Sequence, residues 1–459
     1  MKQTRRSVLQ ATAAAATVGP LAGCLSGLQT TDTDGYAAFF ALWDFAEQVG
    51  GDVLTFENPV ETGSMGHGWS PDGDLTRDIA SSQVFVYLDT PEWTWAQDVA
   101  TELERDHPDV TIIDALAGLG PQLIRFDTDA MPEPDRGHEY PPENIVFQEF
   151  DIIDLRSEDQ LGYWHTDHWH GGIPEVPVDG EVPIGIVLRD RDGRVVPLGE
   201  TEPYRVTARV AEGEPDDVLT IHSEGAHVEF HGNSTGTTAV VFEIWHDDEL
   251  VYETADGPAR IEVVAEIDDD GAGAFHDPHA WVDPVLAQQM VETIADGLAA
   301  ADPENADTFA ENAAAYSDRL QSVREQLETI SKKAQRDVAV FAGHDSYAYI
   351  ERRYDLTLHT PVGIAPDDAE TFDDIRTIID IVETNDIDTV LYDPFEAPDP
   401  DTDLPEMVDV LYEHTDVTNA EPLSPASGTT EEWNERGWGY IEQMEEMNIP
   451  SLRAAFGAE

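Results

Sequence analysis

Apolar and polar residues alternate in three distinct rhythms along the chain, and each rhythm predicts a different kind of structure. From Tyr36 to about Phe126, helix-like and strand-like segments take turns. Phe39 to Val49 is amphipathic, Gln83–Leu88 reads as a buried strand, and Val110–Ile113 reads as another. Helices alternating with short, wholly apolar strands predict an α/β layer on a mainly parallel sheet. Between about Asp127 and Asp270 the rhythm changes to short β-type runs: Val182–Arg189, Tyr204–Val210, Val218–His222, His227–His231, Ala239–Trp245 and Arg260–Ile267. Turn signals such as Asp192-Gly193 recur between them, so this stretch predicts an antiparallel β-sandwich of its own.

The third rhythm begins at Asp302-Pro303-Glu304, where an N-capping acid precedes a proline at the first helical position. Ala306, Phe309, Ala313, Tyr316, Leu320, Val323, Leu327 and Ile330 then follow at alternating gaps of three and four. That is one stripe of a helix, held for about seven turns and roughly 40 Å. Lys332 and Lys333 at its end suit the helix dipole. After it, Asp337–Phe341, Thr389–Tyr392 and helices near 370–384, 404–413 and 434–447 predict a second α/β lobe. The architecture expected is two α/β lobes joined by one long helix, with an antiparallel sandwich-like domain inserted in the first. Its boundaries are 36–126 plus 272–301 for the first lobe, 127–271 for the insertion, 302–333 for the bridge and 334–459 for the second lobe.

Composition changes the picture of where such a protein works. Of 459 residues, 95 are Asp or Glu and 24 are Lys or Arg, a formal charge of −71. A field of that sign repels nucleic acid and anionic lipid, so neither is an expected partner through a basic patch. High charge can mean disorder, but the apolar periodicity and the 10 Trp, 13 Tyr and 16 Phe argue for packed cores. A protein built for molar salt reconciles the two, because the Debye length at ~1 M is only about 3 Å.

Residues 1–28 carry an address rather than a fold. Arg5-Arg6 followed by the Ala-rich stretch Ala11–Ala22 matches a twin-arginine export signal. Leu21-Ala22-Gly23-Cys24 resembles a lipobox, which makes Cys24, the single cysteine, the expected lipid-attachment site. The protein is expected outside the cell, tethered to the outer face of the cytoplasmic membrane. With one cysteine there is no internal disulfide and no Cys-ligated metal.

Three segments then carry candidate chemistry: Gly66-His67-Gly68-Trp69, Asp277-Pro278-His279-Ala280-Trp281-Val282-Asp283-Pro284 and Gly343-His344-Asp345-Ser346-Tyr347. Each places a histidine at or just after a strand-like run, where α/β sheets put ligands. Three imidazoles suit tetrahedral Zn²⁺, with a carboxylate or water as the fourth donor. Taken singly, each reads more readily as a surface or satisfied core histidine, and spacing alone does not settle it.

These segments resemble those of the zinc/manganese (ZnuA-like) class of ABC-transporter substrate-binding lipoproteins, here in a halophilic archaeal form. The similarity runs through Phe39–Trp95 with Gly50-Gly51-Asp52, the DPHAWVDP string at 277–284, the DPENAD helix start, GHDSYAYIERRYDL at 343–356 and Gly439-Tyr440. It covers most of the chain outside 127–270. The resemblance implies that His67, His279 and His344 are metal ligands in a cleft between the lobes. It further implies that the cargo is Zn²⁺, because manganese-type members tend to have Glu in place of His344; Mn²⁺ or iron uptake is the alternative. It also implies a membrane permease and ATPase as partners, a monomer, no catalysis and small lobe shifts on binding. One departure stands out: where the family supplies a second-lobe aspartate, this chain has Ser424 in Leu423-Ser424-Pro425. The fourth ligand is then water or an acid such as Glu421, Asp393, Glu396 or Glu61. The open position also keeps a secreted zinc hydrolase or a metal-buffering adhesin as alternatives of another class.

The insertion holds eight of the 15 histidines, five of them in two β-type runs: His165, His168 and His170, and His227 with His231. On strands, His168 and His170 would share a face, as would His227 and His231. They are candidates for an accessory metal site, set against plain surface decoration. Gly232-Asn233-Ser234-Thr235-Gly236 matches a nucleophile-elbow string but lies between two β-type runs, so it reads as a hairpin loop.

Overall fold

The structure is a computed structural model. It describes residues 33–458 except 67–68, 70, 72, 91–92, 125–131, 133, 157–159, 167, 192, 248, 266–275, 362–371 and 396–403, and except the side chains of 170, 372 and 373. The export signal, Cys24, His67, Glu396 and the acidic stretch at 268–271 therefore lie outside the described residues.

The first lobe is a four-stranded sheet of β1 (Gly35–Ala37), β2 (Phe56–Glu57), β3 (Val84–Tyr87) and β4 (Thr111–Asp114), in the order β2-β1-β3-β4 and parallel throughout. All four residues of β3 are buried, as a central strand covered on both faces must be. Helices α1 (Phe40–Gly50), α2 (Leu75–Ile79) and α3 (Thr94–Asp106) belong to this lobe. Helix α1 stops at Gly51, whose φ of 57° favours glycine. Asn312 from the bridging helix donates to the Val49 carbonyl there, closing an otherwise orphaned helix end.

The insertion forms two packed sheets. One joins β5 (Ile145–Asp154), β6 (Gln160–His165), β7 (His168–Gly171), β9 (Glu181–Asp190), β11 (Leu219–Ser223) and β12 (His227–Gly232), in the order β11-β12-β9-β5-β6-β7. The other runs β10 (Tyr204–Val210), β13 (Gly236–His246), β15 (Ala259–Val264) and β8 (Val176–Pro177), with β14 (Glu249–Glu253) also paired to β13. A core of its own fills the space between them, including Phe150, Trp164, Trp169, Phe230 and Phe242. The expected antiparallel pattern holds except at one edge, where the two-residue strand β8 runs parallel to β15. Pro177 suits that edge, since it cannot donate to a further neighbour. The Gly232–Gly236 segment crosses from one sheet to the other rather than closing a hairpin, because β12 and β13 do not pair. No helix follows it, so it is no nucleophile elbow.

The chain returns through α4 (Pro284–Ala301), capped by Asp283 accepting from Val285 N–H, with Pro284 at the first position. The bridging helix α5 spans Ala306–Lys333, 28 residues or about 42 Å. It starts later than Asp302-Pro303 predicts. Asp302 instead accepts from Glu304 N–H and Asn305, building a turn between α4 and α5. Phe309, Ala313, Tyr316, Leu320, Val323, Leu327 and Ile330 of its predicted stripe are buried.

The second lobe repeats the first: β16 (Val338–Ala342), β17 (Thr357–His359), β18 (Thr389–Tyr392) and β19 (Asn419–Pro422) form a parallel sheet ordered β17-β16-β18-β19. Its helices are α6 (Ala348–Tyr354), α7 (Phe372–Thr384), α8 (Glu406–His414), α9 (Glu431–Arg436), α10 (Tyr440–Gln443) and α11 (Ile449–Ala455). The single helix expected at 434–447 is broken, because Gly437 adopts φ 71° and ends α9 in the left-handed region. A five-residue π turn, Met444–Asn448, joins α10 to α11.

One continuous core runs from Phe39, Val86 and Trp281 through the buried stripe of α5 to Phe341, Tyr347, Leu423 and Tyr440. The two lobes thus share apolar packing, so prising them wide apart would expose it to water. Among the described residues, no helix is long and apolar enough to cross a membrane.

Candidate metal centre

Two paired strands aim two polar side chains at the same edge of the second-lobe sheet. Strands β16 and β18 pair Ala342 with Tyr392, so the residues just beyond their C-terminal ends, His344 and Asp393, emerge together. Both are fully buried, and His344 Nδ1 lies 3.7 Å from Asp393 Oδ2. From the first-lobe side, a single 3₁₀ turn, His279–Val282, leads into α4 and carries His279, also fully buried. Asp277 Oδ1 accepts from the His279 backbone N–H at 2.9 Å and sits 2.8 Å from its Nδ1. Asp277 thus engages His279 at Nδ1 and leaves its Nε2 as the ligating nitrogen, the arrangement that orients metal-binding histidines. Asp393 instead lies beside the His344 ring at 3.7 Å, beyond hydrogen-bond reach.

The two rings lie with centroids 5.2 Å apart and planes tilted by 49°. A metal about 2.05 Å from each Nε2 lies about 3.2 Å from each ring centre, and a tetrahedral angle then separates the centres by about 5.2 Å. The pair is spaced to share one tetrahedral ion. Burial, with His279 close by, holds His344 well below the usual imidazole range, so the ring is neutral and able to ligate. Burial pushes the Asp393 carboxyl up to about 7.

Aromatic packing fixes this pair in place. His279 leans on Trp281 at 5.2 Å, Trp281 meets Trp93 at 5.4 Å, and Phe39 stacks on Trp93 at 4.7 Å. Trp281 Nε1 donates to the Pro425 carbonyl and Tyr440 donates to the Trp281 carbonyl, tying the His279 turn to the second lobe. Tyr349 donates to the Asp277 carbonyl in the same way.

His67 lies outside the described residues, but its neighbour Gly66 is described: a Cβ there would come within 3.5 Å of Trp93 Nε1, on the same aromatic wall. The loop before it also meets the second lobe, where Gly63 N–H donates to the Thr429 carbonyl.

The acids considered for the fourth position separate clearly. Asp393 lies beside His344, 3.7 Å from its Nδ1. Glu421 sits on β19, beside the Tyr392 hydroxyl, which burial and then the Glu421 charge push up, and Glu61 is exposed in the loop before His67. Ser424 is buried and committed elsewhere: its hydroxyl donates to Gln443 and accepts from Ala426 N–H. Asp277 was not singled out by the sequence, although an acid two residues before a candidate ligand was a usable signal. Among the described residues, no group of three or more His, Cys, Asp or Glu converges closely enough to hold an ion.

The accessory histidines fall into two places on the six-stranded sheet. His165 and His168 are cross-strand partners with ring centres 5.7 Å apart, opposite the buried Trp164–Trp169 pair. His227 and His231 share the outer face of β12, with Val228 and Phe230 turned inward. Strands β9 and β5 lie between β12 and β6, about 14 Å of sheet. The side chain of His170 lies outside the described residues.

Two parallel-sheet lobes and one long helix joined by a common core define the two-lobed substrate-binding fold, with a buried imidazole pair between the lobes. The ZnuA family, zinc-uptake complex component A, periplasmic, has a model that matches residues 36–455, and the chain belongs to it. Among its relatives, the high-affinity zinc uptake system protein ZnuA of Bacillus subtilis (strain 168) is 24% identical over 177 residues, 39% of this chain and 52% of the relative. The zinc-binding lipoprotein AdcA of Streptococcus pneumoniae (strain ATCC BAA-255 / R6) is 30% identical over 178 residues, 39% of this chain and 33% of the relative. The matched segments span about half or less of these relatives. Among solved structures, the metal-dependent lipoprotein YcdH from Bacillus subtilis superposes with a TM-score of 0.52 at 15% identity, covering 92% of this chain and 99% of the other. The Zn(II)-bound ZnuA-like domain of Streptococcus pneumoniae AdcA gives 0.51 at 18% identity, with 92% and 97% covered. At these identities the superpositions show the shared fold.

Proposed function

We propose that this protein captures Zn²⁺ outside the cell and delivers it to the permease and ATPase of an ABC importer. The observation that carries this reading is the buried His279–His344 pair, with centroids at the separation a shared tetrahedral ion would need and His279 held at Nδ1 by Asp277. His67 completes a three-imidazole set, and Asp393 is the carboxylate best placed to act with it. Imidazole donors favour zinc over manganese, which prefers harder oxygen ligands. The family to which the chain belongs and the zinc named in its relatives support the same reading.

Elemental analysis of the purified protein, with zinc–manganese competition against a chelator of known affinity, tests the proposal. One tightly bound zinc is expected, with at least a hundredfold loss in His344→Ala; full zinc affinity in that variant would sink the site. Export by the twin-arginine route with lipid attachment at Cys24 completes the proposal, supported by Arg5-Arg6 and the lipobox-like Leu21–Cys24. Cys24→Ser should then move the protein from the membrane fraction to the medium, and retention in the membrane would refute the anchor. The acidic surface supports work in molar salt, and unchanged thermal stability in 0.1 M salt (roughly ten times below the ~1 M considered above) would contradict it.

A further inference from the structure

The inserted β unit leaves the first lobe after Ile124 and returns to it at His276-Asp277, so these two segments form its neck. A ring of three hydrogen bonds closes that neck. Asp277 N–H donates to the Ile124 carbonyl at 2.9 Å, the Tyr349 hydroxyl donates to the Asp277 carbonyl at 2.6 Å, and Ile124 N–H donates to the Tyr349 hydroxyl at 3.1 Å. Tyr349 stands on α6 of the second lobe, just after the His344 loop, and is only 1% exposed. Burial, and then Asp277, push its hydroxyl far above its ordinary range, so it keeps the proton it donates. Arg352, one turn along the same helix, donates to the Gln122 carbonyl, with its guanidinium carbon 5.4 Å from the Tyr349 ring centre. One face of α6 thus grips both segments of the neck.

The neck residue that Tyr349 grips is the one that orients an imidazole: Asp277 Oδ1 accepts from His279 N–H at 2.9 Å and lies 2.8 Å from its Nδ1. Between the two stands Pro278, at φ −73°, whose ring removes the freedom that would let Asp277 turn without His279. A rotation of the neck is therefore passed to the imidazole by side chain and backbone together. Because α6 also follows the His344 loop, the same hydroxyl fixes one imidazole against the other. A hydroxyl that merely satisfied two backbone groups would add stability and leave the metal's affinity untouched.

We infer that Tyr349 is a positioning residue of the metal centre, clamping the neck so that its closure and metal binding at the His279–His344 pair stabilise one another. The inference rests on the zinc reading above. Such coupling is reciprocal, so zinc should hold the neck closed as the neck holds the imidazole. The test uses the full chain in molar KCl. Tyr349→Phe should bind zinc at least tenfold more weakly in competition with a chelator, the scale on which groups behind metal-bound histidines act. It should also alter the visible bands of bound Co²⁺. Tyr354→Phe is the control: it removes a hydroxyl from the same helix that has no hydrogen-bond partner among the described residues, and it should match the wild type in both readings. In the wild type, zinc loading should slow hydrogen exchange at the Ile124 amide more than across β13 of the insertion. That measurement decides even if Tyr349→Phe does not fold. Wild-type affinity and spectrum in Tyr349→Phe, the same changes in Tyr354→Phe, or no selective slowing at Ile124 would each overturn the inference. Failure of the zinc reading would show separately, as no zinc bound by the wild type.

Discussion

Asp44 joins three parts of the molecule, and replacing it tests how the lobes are held together. It lies on α1, fully enclosed, and its Oδ2 accepts from the Tyr316 hydroxyl of α5 at 2.6 Å and from the Tyr440 N–H of α10 at 3.1 Å. Gly439 packs so closely that a Cβ there would sit 2.4 Å from Asp44 Oδ1. Asp44→Ala strands a buried hydroxyl and a buried backbone N–H, at about 1–3 kcal/mol each, so a loss of about 3–5 kcal/mol is expected. Asp44→Asn keeps an oxygen acceptor in place. Because burial already raises the carboxyl pKa and so penalises its charge, removing that charge should cost no more than about 1 kcal/mol. Urea unfolding in molar KCl, followed by tryptophan fluorescence, measures both variants against wild type. If the alanine variant lost no more than the asparagine variant, the reasoning that a satisfied acceptor joins the lobes here would be wrong.

Two further outcomes follow from groups away from the metal centre. Burial, with Asp345 and Asp277 nearby, raises Glu351 to about 7. The folded protein therefore keeps a proton that the unfolded chain releases near pH 4.5, and stability contributed at low pH is lost as pH rises through about 7. With solvent screening of this partly exposed group the loss is about 1–2 kcal/mol. Glu351→Gln should flatten the stability profile between about pH 4.5 and about 7, the window set by those two pKa values, and an unchanged slope in denaturant titrations would contradict it. Arg260→Ala removes the bonds from the insertion to Gln97 and Thr101 on α3. Hydrogen exchange should quicken in α3, with about 1–2 kcal/mol of lost stability and unchanged zinc affinity; unaltered protection of α3 would show that this anchor is not used.

Much of the architecture was legible because its signals are local. A stripe at gaps of three and four buries one side of a helix wherever the chain goes, and the buried residues of α5 are those the stripe named. The all-apolar run at Val84–Tyr87 could only be a central strand. Helix ends were less legible, since at Asp302 and Gly437 side-chain and backbone turn chemistry competes with periodicity over two or three residues. Strands such as Gln160–His165 and His168–Gly171 escaped because glycine and histidine dilute their pattern.

The candidate site divides along the same line. His279 and His344 stood out by themselves, each beside a strand-like run in a distinctive string. Nothing local in the sequence could choose Asp393 over Glu421, because that choice follows from the pairing of β16 with β18, which brings the ends of distant segments side by side. Nor could it show that Asp277 would orient one imidazole through Nδ1. The sequence by itself determined the stripe of α5, the central strand β3 and which imidazoles are available to a metal, because those depend on residues a few positions apart. Only the tertiary structure decided which carboxylates stand behind those imidazoles and what spacing the rings adopt, because both are set by packing between strands and turns far apart in the chain.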